Sequence, residues 1–208
     1  LEVVRAYMRH VQANAEESVR RVIGVLKDGA FELPLDNGAR IRVRIAIGKD
    51  RRSARIDFTG TSAQLTSNFN APSAVSMAAV LYVFRTLVDD EIPLNAGCLK
   101  PLEVVIPERS MLNPRYPAAL GCRTHALARL FDVLGGALVK QAPELNTASG
   151  YGTSPYMLYS GWEESGDFFY SMEILYGGIP GRPIGDGMDG HSWWPLFENI
   201  PTEYLEAY

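Results

Sequence analysis

The chain has 208 residues, 47% of them hydrophobic and 21% charged, with a formal net charge of −4; it is long enough to bury one sizeable core and has the composition expected of a soluble globular protein. No stretch approaches the roughly 18 uncharged apolar residues of a membrane helix, and the N-terminus lacks the charged, apolar and small-residue regions of a signal peptide. Charge is uneven: residues 1–55 hold 12 Lys/Arg against 7 Asp/Glu and residues 142–208 hold 1 against 10, a polarity that can orient subunits but does not specify nucleic acid.

Leu1, Val4, Met8, Val11, Ala15, Val19, Val22 and Leu26 recur every three or four residues, which predicts one apolar stripe along a helix of about seven turns. Asp28-Gly29 is expected to stop it through a left-handed glycine, and His10 falls on its polar side. The start in mid-periodicity, without Met, leads us to expect further residues upstream. "FELPL" and "ARIRVRIAI" flank Asp36-Asn37-Gly38, a strong hairpin signal. Arg40, Arg42 and Arg44 alternate with Ile41, Val43 and Ile45, the pattern of a half-buried strand with a solvated charged face, and "ARIDFTG" adds a third strand. Residues 72–88 predict a buried helix, with Asn70 as cap and Pro72 in the first turn. "PLEVVIP" reads as a short inner strand. A further helix over 124–141 carries Leu127, Leu130, Phe131, Leu134 and Leu138 inward, with Thr124 as cap. "YMLYSGW" and "FFYSMEILY" form another hairpin across residues 163–167, and the chain is loop-rich from Gly177.

Clustered strands and helices point to an α+β fold, an antiparallel meander and hairpins packed with three main helices, with a mixed sheet possible. Residues 1–208 form one piece, in which 1–141 carries the helices and meander and 142–208 the second hairpin and loops. Two cysteines, Cys98 and Cys122, make no disulfide framework, so a reducing, cytoplasmic setting is the simpler expectation.

Several polar clusters are candidates for chemistry. "CRTH" at 122–125 opens a helix: Cys122 is either a nucleophile or a small filler, and Arg123 and His125 are candidate catalytic or substrate-contacting residues. Thr59, Thr61 and Ser62 form a hydroxyl-rich turn that either binds a polar ligand or closes its own backbone. Asn95 sits in a Pro/Asn loop. In "GDGMDGHSWWP", Asp186, Asp189 and His191 are the best metal-ligand set, two carboxylates and an imidazole, while Asp-Gly pairs are equally ordinary turn formers. No P-loop, dinucleotide fingerprint or serine elbow is present.

The ordered set Asp57-Phe58-Thr59-Gly60-Thr61-Ser62, Asn70 and Pro72, Tyr82 and Arg85, Ile92-Pro93-Leu94-Asn95 with Gly97, Leu112-Asn113-Pro114, Pro117-Ala118-Ala119, Arg129, Asp132, "GGAL", Asp186-Gly187 and "PTEYLE" resembles the B subunit of the hydantoinase/5-oxoprolinase family. The resemblance implies a fragment of a larger B subunit of an ATP-dependent cyclic-amide hydrolase, opening hydantoin, 5-oxoproline or lactam rings. A partner A subunit would bind ATP and phosphorylate the substrate's carbonyl oxygen, and a metal-bound hydroxide would complete hydrolysis. An acetone/acetophenone carboxylase-type subunit and an assembly segment without catalytic residues of its own are the alternatives.

The family's metal motif would lie upstream, so the divalent metal is expected outside this chain, none is expected within it, and Asp186, Asp189 and His191 are demoted to secondary candidates. The substrate-binding candidates are Thr59, Thr61, Ser62, Asn95, Arg123 and Asp186, the ligand is a small molecule, and neither nucleic acid nor membrane is expected as a partner. Two departures from the family pattern put the substrate in question: the run from Gly121 to His125, and Arg109 where Gly is usual.

Overall fold

The structure, a computed structural model, describes residues 1–139, 141, 147–150, 156–174 and 179–187. The chain divides into two units, Leu1–Pro143 and Glu144–Tyr208.

In the first unit, helix α1 (Glu2–Val25) is followed by strands β1 (Gly29–Pro34), β2 (Arg40–Ile47) and β3 (Ala54–Asp57). Helix α2 (Ser73–Thr86), a 3-10 turn (Ala96–Leu99), strand β4 (Leu102–Val105) and helix α3 (Arg123–Val139) complete it. The sheet runs β1-β2-β3-β4. β1–β2 and β2–β3 are antiparallel, with Phe31 opposite Val43 and Ile45 opposite Ile56, whereas β3–β4 is parallel, with Ile56 opposite Val104. The fold is α+β with a mixed sheet.

The hairpin turn forms as Asp36-Asn37-Gly38 predicts. Gly38 takes φ 81° and the Leu35 amide donates to the Ala39 carbonyl at 2.8 Å. On β2, Ile41, Val43 and Ile45 are fully buried while Arg40, Arg42 and Arg44 face solvent. The buried sheet face meets Ala15, Val19 and Ile23 of α1, Val80 and Phe84 of α2, and Leu130, Val133 and Leu134 of α3 in one core cluster, the layered burial that stabilises an α+β domain.

Three local expectations are corrected. Helix α1 ends at Leu26, which is extended with ψ 161°, and Gly29 is the first residue of β1 rather than a left-handed stop. What requires glycine at 29 is close packing: a Cβ there would collide with the Ala137 carbonyl of α3, and one at Gly136 would lie 2.7 Å from the Phe31 ring. Asn70 does not cap α2, whose N-cap is Pro72 without a side-chain bond. Thr124 likewise does not cap α3, because the helix already begins at Arg123.

The apolar stripe of α1 is buried only from Ala15 onward; Val4 and Met8 are 58% and 60% exposed. No helix among the described residues is long and apolar enough to cross a membrane. In the second unit, β5 (Tyr156–Trp162) and β6 (Phe168–Ile174) pair antiparallel, Trp162 opposite Phe168, around a turn in which Gly166 has φ 88°.

Candidate functional site

Because β3 and β4 are parallel, the loops that follow them leave the sheet at the same end. They then lace together. The Phe58 amide donates to the Val105 carbonyl (2.9 Å), Gln64 N to the Arg109 carbonyl (2.7 Å), Met111 N to the Ser62 carbonyl (2.9 Å) and Ala71 N to the Met111 carbonyl (2.8 Å). Met111 and Leu112, fully buried, pin the second loop to the core. Between the loops lies an open pocket of about 680 Å³, walled by residues 63–66 on one side and by Arg109 and residues 115–119 on the other.

Two amides hold these walls. The Gln64 Nε2 donates to the carbonyls of Arg115 and Pro117, both at 3.0 Å, and its Oε1 accepts from the Arg115 amide at 2.7 Å. Asn70 is fully buried. Its Oδ1 accepts from the Leu65 amide (2.8 Å), and its Nδ2 faces the carbonyls of Leu65 (2.9 Å), Ser67 (2.9 Å) and Ala119 (3.2 Å). Asn70 therefore joins both loops, its amide both accepting from and donating to loop backbone. Arg115 forms an ion pair with Glu108.

The second loop runs directly into α3. The Cys122 amide donates to the Asn68 carbonyl at 2.9 Å, and the Cys122 carbonyl accepts from the His125 amide at 3.0 Å. Cys122 is buried, the setting of a filler at a helix entry rather than of an exposed nucleophile. Arg123 is exposed. His125 packs edge-on against Phe69, ring centroids 5.7 Å apart. One turn on, Arg129 pairs with Asp132 at 2.6 Å, their side chains 20% and 13% exposed. Positions 125, 129 and 132 share one face of α3, a polar stripe on a mostly apolar helix.

Burial lowers the basicity of His125, because desolvation disfavours the imidazolium. The unfolded side chain titrates near pH 6.5. Above that value neither state is protonated. As pH falls through it, the unfolded chain binds a proton that the folded chain refuses, so stability is lost until the lower folded value is passed. Glu16, Glu17, Asp50 and Asp57 have lowered pKa values, so their stabilisation is present above the ordinary carboxylate range and is lost only at more acid pH. The thermal midpoint should therefore drop between pH 7.5 and 5.5 by more in the parent than in His125→Gln; equal drops would remove His125 as the cause.

The other sequence-derived candidates are not gathered into this pocket. Thr61 Oγ1 accepts from the Arg42 amide at 3.1 Å and donates to its carbonyl at 3.2 Å, while Ser62 Oγ accepts from the Arg40 amide at 2.9 Å. Both hydroxyls thus extend the ladder of β2. Thr59 closes an Asx turn onto Asp57 (2.8 Å), and Asn95 caps the 3-10 turn by accepting from Gly97 N (2.8 Å). Asp186 lies exposed in the second unit; Asp189 and His191 lie outside the described residues. No group of three or more His, Cys, Asp or Glu among the described residues is placed to hold a metal ion.

Gln64, Arg115 and Tyr116 were not singled out by their sequence, since nothing distinguishes them locally from ordinary loop residues. Arg109 carried one signal, as a departure from the Gly that the family resemblance implies at that position. Its φ of 61° explains that preference, because left-handed backbone is nearly free for glycine and strained for other residues.

The model of the family described as Hydantoinase B/oxoprolinase matches residues 1–208. 5-Oxoprolinase 1 of Arabidopsis thaliana is 42% identical over 151 residues, covering 64% of this chain and 12% of that protein. A Pseudomonas sp. strain NS671 protein, named as the B component of a D-/L-hydantoinase, is 27% identical over 226 residues, covering all of this chain and 38% of its own length. The ATP-dependent caprolactamase of Pseudomonas jessenii superposes with a TM-score of 0.73 at 19% identity, over all of this chain and 38% of that one, a likeness of fold. The chain thus spans well under half the length of the relatives it matches. With the family model matching from the first residue to the last, this chain belongs to the hydantoinase B/oxoprolinase family.

Proposed function

We propose that this chain is a segment of the B subunit of an ATP-dependent enzyme that opens cyclic amides of the hydantoin, 5-oxoproline or lactam type, working with an ATP-binding partner subunit. The observation that carries the reading is the family match over all 208 residues, supported by relatives named for hydantoin and 5-oxoproline chemistry. An amide carbonyl is a poor electrophile, and phosphorylating its oxygen with ATP turns that oxygen into a leaving group. The part assigned to this segment is to bind and orient the activated substrate. Arg123, exposed at the start of α3 and making no ion pair with another described residue, is the group available to hold negative charge as it develops. His125, whose basicity burial lowers, positions the helix entry that carries Arg123 by packing on Phe69. A divalent metal would supply an activated water at neutral pH when bound. The described residues provide no ligand set for it, and the roles given to Arg123 and His125 do not depend on it.

The test is to assemble the complete B subunit with its partner and assay hydantoin, 5-oxoproline and caprolactam with ATP. At least one ring should open with release of ADP, and the 208-residue chain alone should neither consume ATP nor open a ring. No opening of any cyclic amide, with ATP- and bicarbonate-dependent consumption of a ketone instead, would move the protein to carboxylase chemistry.

A further inference from the structure

Among the described residues two non-glycine positions have left-handed backbone, and both are arginines: Arg51 with φ 56° and Arg109 with φ 61°. Such a conformation is strained for an L-residue. Arg51 has an evident return, since its guanidinium donates to the Gly24 carbonyl at the end of α1. At Arg109 the turn aims the backbone, its amide donating to the Asn113 carbonyl at 2.9 Å and its carbonyl accepting from the Gln64 amide at 2.7 Å, bonds that glycine would make as well; the arginine side chain itself has no return within the fold. Its side chain is exposed and makes no hydrogen bond or ion pair with another described residue, yet it forms part of the pocket wall between the two laced loops. Glycine would make the same backbone bonds without strain, so an arginine kept at such a position is the pattern expected where the side chain serves a ligand.

The rest of the wall indicates what that ligand is. The lining holds two guanidiniums, Arg109 and Arg115, and no carboxylate. Arg115 is neutralised by Glu108, which lies outside the lining, so Arg109 is the unbalanced cation. The Gln64 amide is consumed by loop backbone, whereas the Thr66 hydroxyl has no partner among the described residues and can donate to an anion. Leu65 and Pro117 contribute apolar surface, and the Tyr116 ring, 98% exposed, stands at the wall of the opening. An unpaired guanidinium favours a carboxylate, which can accept two parallel N–H bonds. Apolar lining with a tyrosine beside it favours a flat or compact apolar body behind that charge.

We propose that the pocket between residues 63–66 and 109–119 binds a small monocarboxylate with an apolar body, held by Arg109. The site is a property of this chain and does not depend on the ring-opening activity proposed above.

The experiment is titration of the full 208-residue chain with sodium benzoate, followed by amide NMR and calorimetry, against benzamide as the neutral shape analogue and inorganic phosphate as a second anion. Benzoate should shift resonances of the pocket walls and bind at least tenfold more tightly than benzamide. Arg109→Gly, which relieves the backbone, and Arg109→Asn, which tolerates the left-handed region, should both fold and both lose at least tenfold in benzoate affinity. Arg44→Ala, on the solvent face of β2 and outside the pocket lining, should leave benzoate binding unchanged. The proposal is overturned if benzoate does not bind, if benzamide binds equally well, or if both Arg109 variants keep parent affinity. Phosphate binding at these residues in preference to benzoate would overturn it in favour of a phosphate site.

Discussion

Replacing Asn70 by alanine should destabilise the first unit by about 3 kcal/mol, the largest loss we expect from any polar substitution in it. The side chain is fully buried, and its removal leaves the Leu65 amide and the carbonyls of Ser67 and Ala119 without the partner that now satisfies them. Water cannot readily replace it in a cavity the size of one amide, so the penalty is that of unpaired buried polar groups rather than of one ordinary hydrogen bond. Asn70→Asp is isosteric and should be no better, because one carboxylate oxygen would replace the Nδ2 that now faces three carbonyls. Thermal and denaturant melts check both variants, with an expected fall in midpoint of roughly 6–12 °C for Asn70→Ala. A change below about 1 kcal/mol would show that the two loops are held by other means.

The second large effect is on turnover. In the complete enzyme, Arg123→Ala should reduce kcat by about 100-fold or more, equivalent to about 2.7 kcal/mol of transition-state stabilisation, while the melting temperature stays within a degree or two because the side chain is exposed. Arg123→Lys should recover part of the rate, since a point charge replaces the charge but not the two-pronged geometry. Cys122→Ser should be nearly silent in rate, since the thiol is buried. Near-normal turnover in Arg123→Ala would return the helix entry to a purely structural role, and complete loss in a folded Cys122→Ser would instead identify a thiol nucleophile.

Where the sequence carried a local rule, it was read correctly: Asp36-Asn37-Gly38 against the alternating run from Arg40 to Ile45, the α3 stripe through Leu130 and Leu134, and the hairpin from Tyr156 to Ile174. Misreadings arose where one residue type answers two needs. Asp28-Gly29 looks like a helix stop, yet Gly29 is required by the Ala137 carbonyl and Asp28 accepts from the Ile47 amide at 2.8 Å. Asn70 has the chemistry of a cap, and the same donors and acceptor serve better between two loops. At Thr61 and Ser62, where the sequence allows either a polar ligand or the chain's own backbone, the hydroxyls bond strand backbone. The pocket itself was not legible, because its walls come from residues 63–66 and 109–119, brought together by a parallel pairing that no periodicity announces.

That pairing also sets when the pocket can exist. Ile56 and Val104 must find each other across 47 intervening residues, α2 among them, and closing so long a loop costs entropy before any contact rewards it. The antiparallel hairpin β1–β2 and the helices can form from local sequence within microseconds, but the two binding loops have no shared scaffold until β4 docks. Assembly of the pocket and closure of the sheet are therefore a single late event in folding. Any substitution that weakens β3–β4 docking should delay the appearance of a formed pocket, even where it leaves the loop residues themselves untouched.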